Sequence, residues 1–111
     1  MKIYIAAPLP ERSNAVNVMQ ALEMLGHEVT SRWLKDVLPN GSAEKDLEDV
    51  AAADLLLLLN SIVWWNFGTG GRHVEFGYAL AIGKQIVLLG KPSNIFHQMP
   101  QVRVIERLED L

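Results

Sequence analysis

The stretch GTGGRHVEFGYALAIGK, residues 68–84, places a single carboxylate, Glu75, just after a glycine-rich turn. Glycine lets the backbone adopt positive φ and approach another molecule closely, which a solvent-exposed glutamate does not require. If the turn opens a helix, free N–H groups attract anions, and the helix dipole keeps a first-turn carboxylate ionised, as a nucleophile requires. The same placement would arise if Glu75 only compensated the dipole, so the residues alone leave both interpretations open.

Several other chemistries do not fit the sequence. The turn lacks the final Gly-Lys-Ser/Thr of a phosphate loop, and His73 stands where the dinucleotide fingerprint has its third glycine. The Gly-x-Ser-x-Gly elbow of serine hydrolases is missing. Cysteine is also missing, which excludes thiolate chemistry. His27, His73 and His97 have no metal-ligand spacing, and His73 is typical of a solvated or hydrogen-bonded first-turn histidine. We therefore expect no cofactor and no metal.

The elements that must position Glu75 alternate between strands and helices. Apolar residues at helical spacing follow the first strand and stop at Gly26. Ser42 is the expected N-cap of a second helix that runs to about Ala53, and the glycine turn leads into a helix over 71–82. Asp54, between that second helix and the next strand, is expected to serve the turn. The predicted strands are KIYIAA (2–7), HEVTSRWL (27–34), DLLLLLN (54–60), KQIVLLG (84–90) and VRVIE (102–106).

This alternation predicts an α/β fold, a doubly wound parallel sheet of about five strands, flavodoxin- or Rossmann-like, in a single domain over 1–111. The unbroken apolar run DLLLLLN is typical of a central strand buried on both faces. Such a sheet binds ligands beyond the carboxyl ends of its strands, where the strand order reverses. The candidate segments there are 6–12, 32–36 and 60–75, so the glycine turn lies in the predicted cleft.

The composition of the chain limits the kinds of molecule that it can bind. The chain has 111 residues, 50% of them hydrophobic, and a net charge of -3 with scattered basic residues. That charge distribution excludes the basic face that nucleic acid polymers require. The longest apolar stretch, AAADLLLLLNSIVWW, is interrupted by polar residues and is too short for a membrane span. The opening MKIYIAAPLPER is explained better by a buried first strand than by a secretion signal. We expect a soluble, cytoplasmic protein with a small-molecule partner.

Tryptophan occurs at three positions near predicted strand ends, Trp33, Trp64 and Trp65. Aromatic faces stack on bases, but tryptophans also fill cores and subunit contacts. The segment SIVWWN is compatible with a two-fold contact between copies of the chain. The sequence alone leaves these roles open.

Three blocks of the chain together resemble a known family. They are IYIAAP at the start, KDLEDVAAAD before the central strand, and GTGGRHVEFGYALAIGKQIVLLG. The chain resembles the nucleoside 2-deoxyribosyltransferases and their relatives, the deoxynucleoside 5'-monophosphate N-glycosidases. In that family the last block is a glycine turn, a glutamate followed by Gly-x-Ala, then Gly-Lys and an apolar strand. The matching residues are Glu75, Gly77, Ala79, Gly83 and Lys84.

The resemblance implies roles for individual residues. Glu75 matches the nucleophile that attacks the anomeric carbon, Tyr4 a tyrosine that orients it, and Asp46 an aspartate that contacts the base. Arg12 and Ser13 are loose matches to the loop that binds the 5'-phosphate in the N-glycosidases. Thr69 departs from the family, because the transferases usually carry an aspartate six residues before the nucleophile. The expected substrate-binding residues are Ala7, Arg12, Ser13, Trp33, Thr69, Gly70, Gly71 and Arg72.

The implied activity is cleavage of the N-glycosidic bond of a (deoxy)nucleoside or its 5'-monophosphate, with the deoxyribosyl group passing to another base or to water. The resemblance also implies a homo-oligomer, a dimer or larger. The departure at Thr69 motivates an alternative of another class, a nucleotide-binding or sensing module that keeps the fold but has lost catalysis.

Overall fold

A computed structural model of the chain describes residues 1–35, 42–60 and 70–111. All the strand pairs of its five-stranded sheet are parallel, in the order β2-β1-β3-β4-β5. This is the doubly wound order of flavodoxin-like folds, whose switch point lies between β1 and β3. The predicted fold class is therefore confirmed. The strands are β1 (Lys2–Ala6), β2 (Glu28–Val29), β3 (Leu55–Asn60), β4 (Gln85–Gly90) and β5 (Val102–Ile105).

Two apolar cores lie on opposite faces of this sheet. Side chains of a strand alternate between faces, so Leu55, Leu57 and Leu59 of β3 pack in one core, while Leu56 and Leu58 pack in the other. The first core contains the buried residues of α1, and the second contains the buried apolar residues of α2 and α3. The uniform leucine run thus reflects burial on both faces, as predicted. The helices are α1 (Arg12–Met24), α2 (Ala43–Ala52) and α3 (Gly71–Ala81), with 3₁₀ turns at Leu9–Glu11, Arg32–Leu34, Ile95–Gln98 and Leu108–Asp110.

The predicted strand over 27–34 is wrong for most of its length. Only Glu28–Val29 pairs with β1, and Arg32–Leu34 forms a 3₁₀ turn. Side chains of this segment replace the missing ladder bonds. The Ile5 N–H donates to Ser31 Oγ at 2.7 Å, and Trp33 Nε1 donates to the Ile5 carbonyl at 3.0 Å. Because the edge groups of β1 are satisfied in this way, the chain can leave the sheet early.

The predicted N-cap of α2 is confirmed. Ser42 caps α2, since its Oγ accepts the Lys45 N–H at 3.3 Å. Asp54 was expected to serve its own turn, but its side chain accepts the N–H of Lys2, 52 residues earlier, at 3.0 Å and joins the end of α2 to the start of β1. None of the helices in the described ranges has the length and apolar character that a membrane crossing requires.

Candidate active site

A cleft opens beside the carboxyl end of β1, between the turn that follows this strand and the starts of α2 and α3. Its volume is about 130 Å³, far more than one water molecule occupies. This position next to the β1/β3 switch point is where a doubly wound sheet binds its ligand. The described residues that line the cleft are Ala7, Pro8, Leu9, Trp33, Asp46, Gly70, Gly71, Arg72 and Glu75.

Glu75, which lines the cleft, is hydrogen-bonded to Tyr4. Tyr4 projects from β1 into the core beneath α2 and α3 and is completely buried. Its hydroxyl donates to Glu75 Oε2 on α3. The glycine turn serves this placement, because Gly70 adopts φ +93 as the N-cap of α3, which only glycine does readily. The pairing of Tyr4 with Glu75 is the one that the family resemblance implied.

The expected first-turn position of Glu75 is wrong. Glu75 lies in the second turn of α3, whose first turn contains no acidic residue, so dipole compensation does not explain it. Burial raises the pKa of Glu75 to about 7, the Tyr4 hydrogen bond opposes this rise, and the negative charge of Asp46 adds to it. Burial, and then the neighbouring Glu75 carboxylate, also raises the pKa of Tyr4. Tyr4 therefore stays protonated and donates, while Glu75 changes its charge near neutral pH.

Asp46 lies both at the start of a helix and on the wall of the cleft. It lies in the first turn of α2, where a carboxylate stabilises the helix dipole. It also lines the cleft, and its charge acts on both Tyr4 and Glu75. A carboxylate in this position can exchange a proton with a group bound above Glu75.

Most of the predicted substrate-binding residues line this cleft. Ala7, Gly70 and Gly71 contribute small backbone positions, and Trp33 contributes an aromatic wall held by its hydrogen bond to Ile5. Arg72 contributes a half-buried guanidinium whose Nε is buried without a partner among the described residues. Burial lowers the pKa of Arg72.

Two predicted residues, Arg12 and Ser13, do not join this group. The Arg12 guanidinium donates to the Leu34 carbonyl at 3.0 Å, and Ser13 is exposed on α1. Neither lines the cleft in the described part of the chain. Thr69 lies outside the described residues, as do Trp64 and Trp65. The binding roles assigned to these positions stay predictions.

His73 and His97 form a contact that the sequence analysis did not foresee. The two rings stack with centroids 6.1 Å apart, and Phe76 meets His97 edge-on at 5.4 Å. His97 is 1% exposed, and its Nδ1 accepts the Ser93 N–H at 3.0 Å. Burial lowers the pKa of both histidines. His73 is thus a packing residue that ties the start of α3 to the segment after β4, rather than a solvated histidine.

Comparison with known proteins gives structural matches only. No protein-family model and no curated protein matches the sequence. The CMP N-glycosidase BcmB of Clostridium botulinum matches with a TM-score of 0.66 at 23% identity, over 95% of this chain and 87% of that one. The TIR domain of the Toll-related receptor TRR-2 of Hydra magnipapillata matches with a TM-score of 0.68 at 13% identity, over 92% and 82%.

These matches show a shared fold. The first agrees, at the level of the fold, with the resemblance to nucleotide N-glycosidases that the sequence blocks carry. The second shows that a receptor domain has the same architecture. Because one fold hosts different functions, the activity has to be inferred from the side chains of the cleft.

Proposed function

We propose that the chain cleaves the N-glycosidic bond of a nucleoside or nucleoside 5'-monophosphate, with Glu75 as the nucleophile. The observation that carries this proposal is the Tyr4–Glu75 hydrogen bond in a cleft that also contains Asp46. A withdrawn carboxylate with a pKa near 7 and a fixed neutral donor is typical of a catalytic group. The family resemblance and the fold shared with a CMP N-glycosidase support the same assignment.

In the first step, the Glu75 carboxylate attacks the anomeric carbon of the sugar. A bond forms between carbon and Glu75 oxygen as the bond to the base nitrogen breaks, through an oxocarbenium-like transition state. The departing base takes its electron pair with it and needs a proton, which Asp46 or water supplies. Tyr4 holds the carboxylate in line for the attack.

In the second step, water or another base attacks the same carbon and releases Glu75 as a carboxylate. The attacking group gives up a proton to the group that supplied one in the first step, which is the Asp46 carboxylate or the hydroxide left by water. Two successive inversions retain the configuration at the anomeric carbon. Hydrolysis and deoxyribosyl transfer thus differ only in the second nucleophile.

A direct assay tests the proposal. The protein is incubated with deoxynucleosides plus a free base and, separately, with CMP, dCMP and the other nucleoside monophosphates alone. Release of base from the monophosphates indicates hydrolysis, and exchange of bases indicates transfer. If no base is released or exchanged in any mixture, the proposed activity is wrong.

The second candidate is a nucleotide-binding or sensing module without catalysis. Thr69, at the position of the family aspartate, and the fold shared with a receptor domain favour it. Calorimetry distinguishes the two. Tight nucleotide binding without turnover, with an affinity that Glu75→Ala leaves unchanged, supports the binding module.

A further inference from the structure

Asp49 on α2 is a buried carboxylate that the sequence analysis did not single out. It is 6% exposed. Its Oδ2 accepts the Arg32 backbone N–H at 3.0 Å, and its Oδ1 accepts Arg32 Nε–H at 2.8 Å. Its backbone carbonyl accepts the Thr30 hydroxyl at 2.8 Å. Asp49 therefore holds the 30–34 segment, which left the sheet after β2, against α2.

This attachment joins two elements that each contribute a side chain to the cleft. Trp33 follows Arg32 directly, and Asp46 precedes Asp49 by about one helical turn on α2. Both Trp33 and Asp46 line the cleft, whereas Asp49 does not. The Asp49–Arg32 pair thus joins the element that carries the aromatic wall to the element that carries the acid.

The same arginine provides an internal comparison. Its second carboxylate partner is Glu48, at 3.0 Å from a terminal guanidinium nitrogen. The Glu48 side chain is 68% exposed, while that of Asp49 is 9% exposed. An exposed ion pair contributes little, because water and salt screen it. Only the Asp49 half of this arrangement is expected to fix the 30–34 segment.

We propose that Asp49 is a positioning residue, which fixes the separation of Trp33 and Asp46 and thereby sets the affinity for the group that binds between them. For turnover, this inference rests on the proposed function. Asp49 touches no reacting atom, so its effect falls on substrate binding rather than on the attack by Glu75.

The kinetic test compares Asp49→Asn with Glu48→Gln, using whichever of CMP or dCMP the native protein cleaves. Asp49→Asn is expected to raise KM about tenfold, the equivalent of one hydrogen bond to a charged group, while kcat changes less than about twofold. Glu48→Gln is expected to change neither constant. Equal effects of the two variants, or a loss confined to kcat, would overturn the inference.

A second measurement does not depend on activity. The Trp33 indole N–H is bonded to the Ile5 carbonyl, so its hydrogen exchange reports how firmly the 30–34 segment is held. Asp49→Asn should accelerate this exchange, Glu48→Gln should not, and the amides of β3 should be unchanged in both. Equal acceleration at Trp33 and in β3 would mean general destabilisation and would refute the positioning role.

The two measurements separate the possible failures. If the native protein cleaves no substrate, the proposed function fails, but the exchange comparison still decides whether Asp49 holds Trp33. If Asp49→Asn does not fold, Arg32→Lys takes its place, because it keeps the charge and the backbone N–H but removes Nε. It should change KM and Trp33 exchange in the same direction by a smaller factor, and no change in either would refute the inference.

Discussion

Two carboxylates on neighbouring helices are withdrawn from water in different ways. Asp49 receives two N–H donors from Arg32, one of them cationic, and its charge is matched. Glu75 receives the neutral Tyr4 hydroxyl, its partner among the described residues, and Asp46 adds a like charge nearby. The first arrangement connects structural elements, and the second leaves a negative charge uncompensated.

The difference indicates which carboxylate is available for chemistry. A charge matched by a cation is stabilised in place and gains little from reacting. A buried charge beside a neutral donor is costly, and the protonation of the group follows the pH near neutrality. A carboxylate whose charge is poorly stabilised is expected where that group must attack a substrate, since reaction with an electrophilic carbon removes the charge.

The largest expected effect that sharpens this contrast is on turnover. Glu75→Gln should reduce kcat at least about 10³-fold, because an amide of the same size is a very poor nucleophile. A 2-fluoro-2-deoxy nucleoside analogue slows breakdown of the covalent intermediate. Mass spectrometry should therefore find one added sugar mass on the native protein and none on the variant.

Circular dichroism of Glu75→Gln provides the control, since the variant should keep the native fold. A near-normal rate for Glu75→Gln, or a sugar label on another residue, would remove Glu75 from the mechanism. The contrast with Asp49 would then concern structure alone.

The next largest effect is on the free energy of unfolding, which substitution of Glu75 should raise and substitution of Asp49 should lower. Because the folded-state pKa of Glu75 is about 7 and its unperturbed value is 4.5, the folded protein holds this proton more tightly. The resulting stability is present below about pH 4.5 and is lost as the pH rises to about 7. As the pH rises from 5 to 8, the free energy of unfolding of Glu75→Gln should thus increase by about 2 to 3 kcal/mol relative to that of the native protein.

Asp49→Asn should instead lower the free energy of unfolding by about 1 to 3 kcal/mol at pH 8, because it weakens the hydrogen bonds of this buried carboxylate to Arg32. Urea unfolding of the native protein and both variants at pH 5 and pH 8 measures these differences. A Glu75→Gln difference that is the same at both pH values would mean that Glu75 titrates like an exposed glutamate.

The sequence predicted the elements whose signals are local. The leucine run of β3 and the Ser42 cap of α2 each depend on neighbours within a few positions, and both are as expected. The strand over 27–34 was misjudged because its hydrogen bonds come from elsewhere. Ser31 and Trp33 bond to Ile5, 26 and 28 residues earlier, and no local pattern reveals that.

The site shows the same division. The glycine turn and the family block drew attention to Glu75, but its pKa depends on burial, on the hydrogen bond from Tyr4, 71 residues away, and on the charge of Asp46. The helix dipole acts mainly within the first turn of α3, and Glu75 lies beyond that turn. Asp49 and His97 were missed because a buried polar residue is recognised only through its partners, which come from Arg32 in one case and from Ser93 and His73 in the other.

The smallest expected effect concerns the pH at which Glu75 ionises, and it tests the neighbours of Glu75 separately. The rate should increase with pH and level off above about 7, since only the carboxylate attacks.

The Tyr4 hydrogen bond lowers the pKa of Glu75, so Tyr4→Phe should move the midpoint of this pH profile up. The same variant should also raise the activation free energy by about 1 to 3 kcal/mol. The charge of Asp46 raises that pKa, so Asp46→Asn should move the midpoint down even if loss of the acid also slows the reaction. Profiles of kcat/KM against pH, and carboxyl ¹³C NMR of Glu75 without substrate, measure the same ionisation independently. Shifts in the same direction for both variants would mean that the two neighbours act through the structure of the cleft rather than through the charge of Glu75.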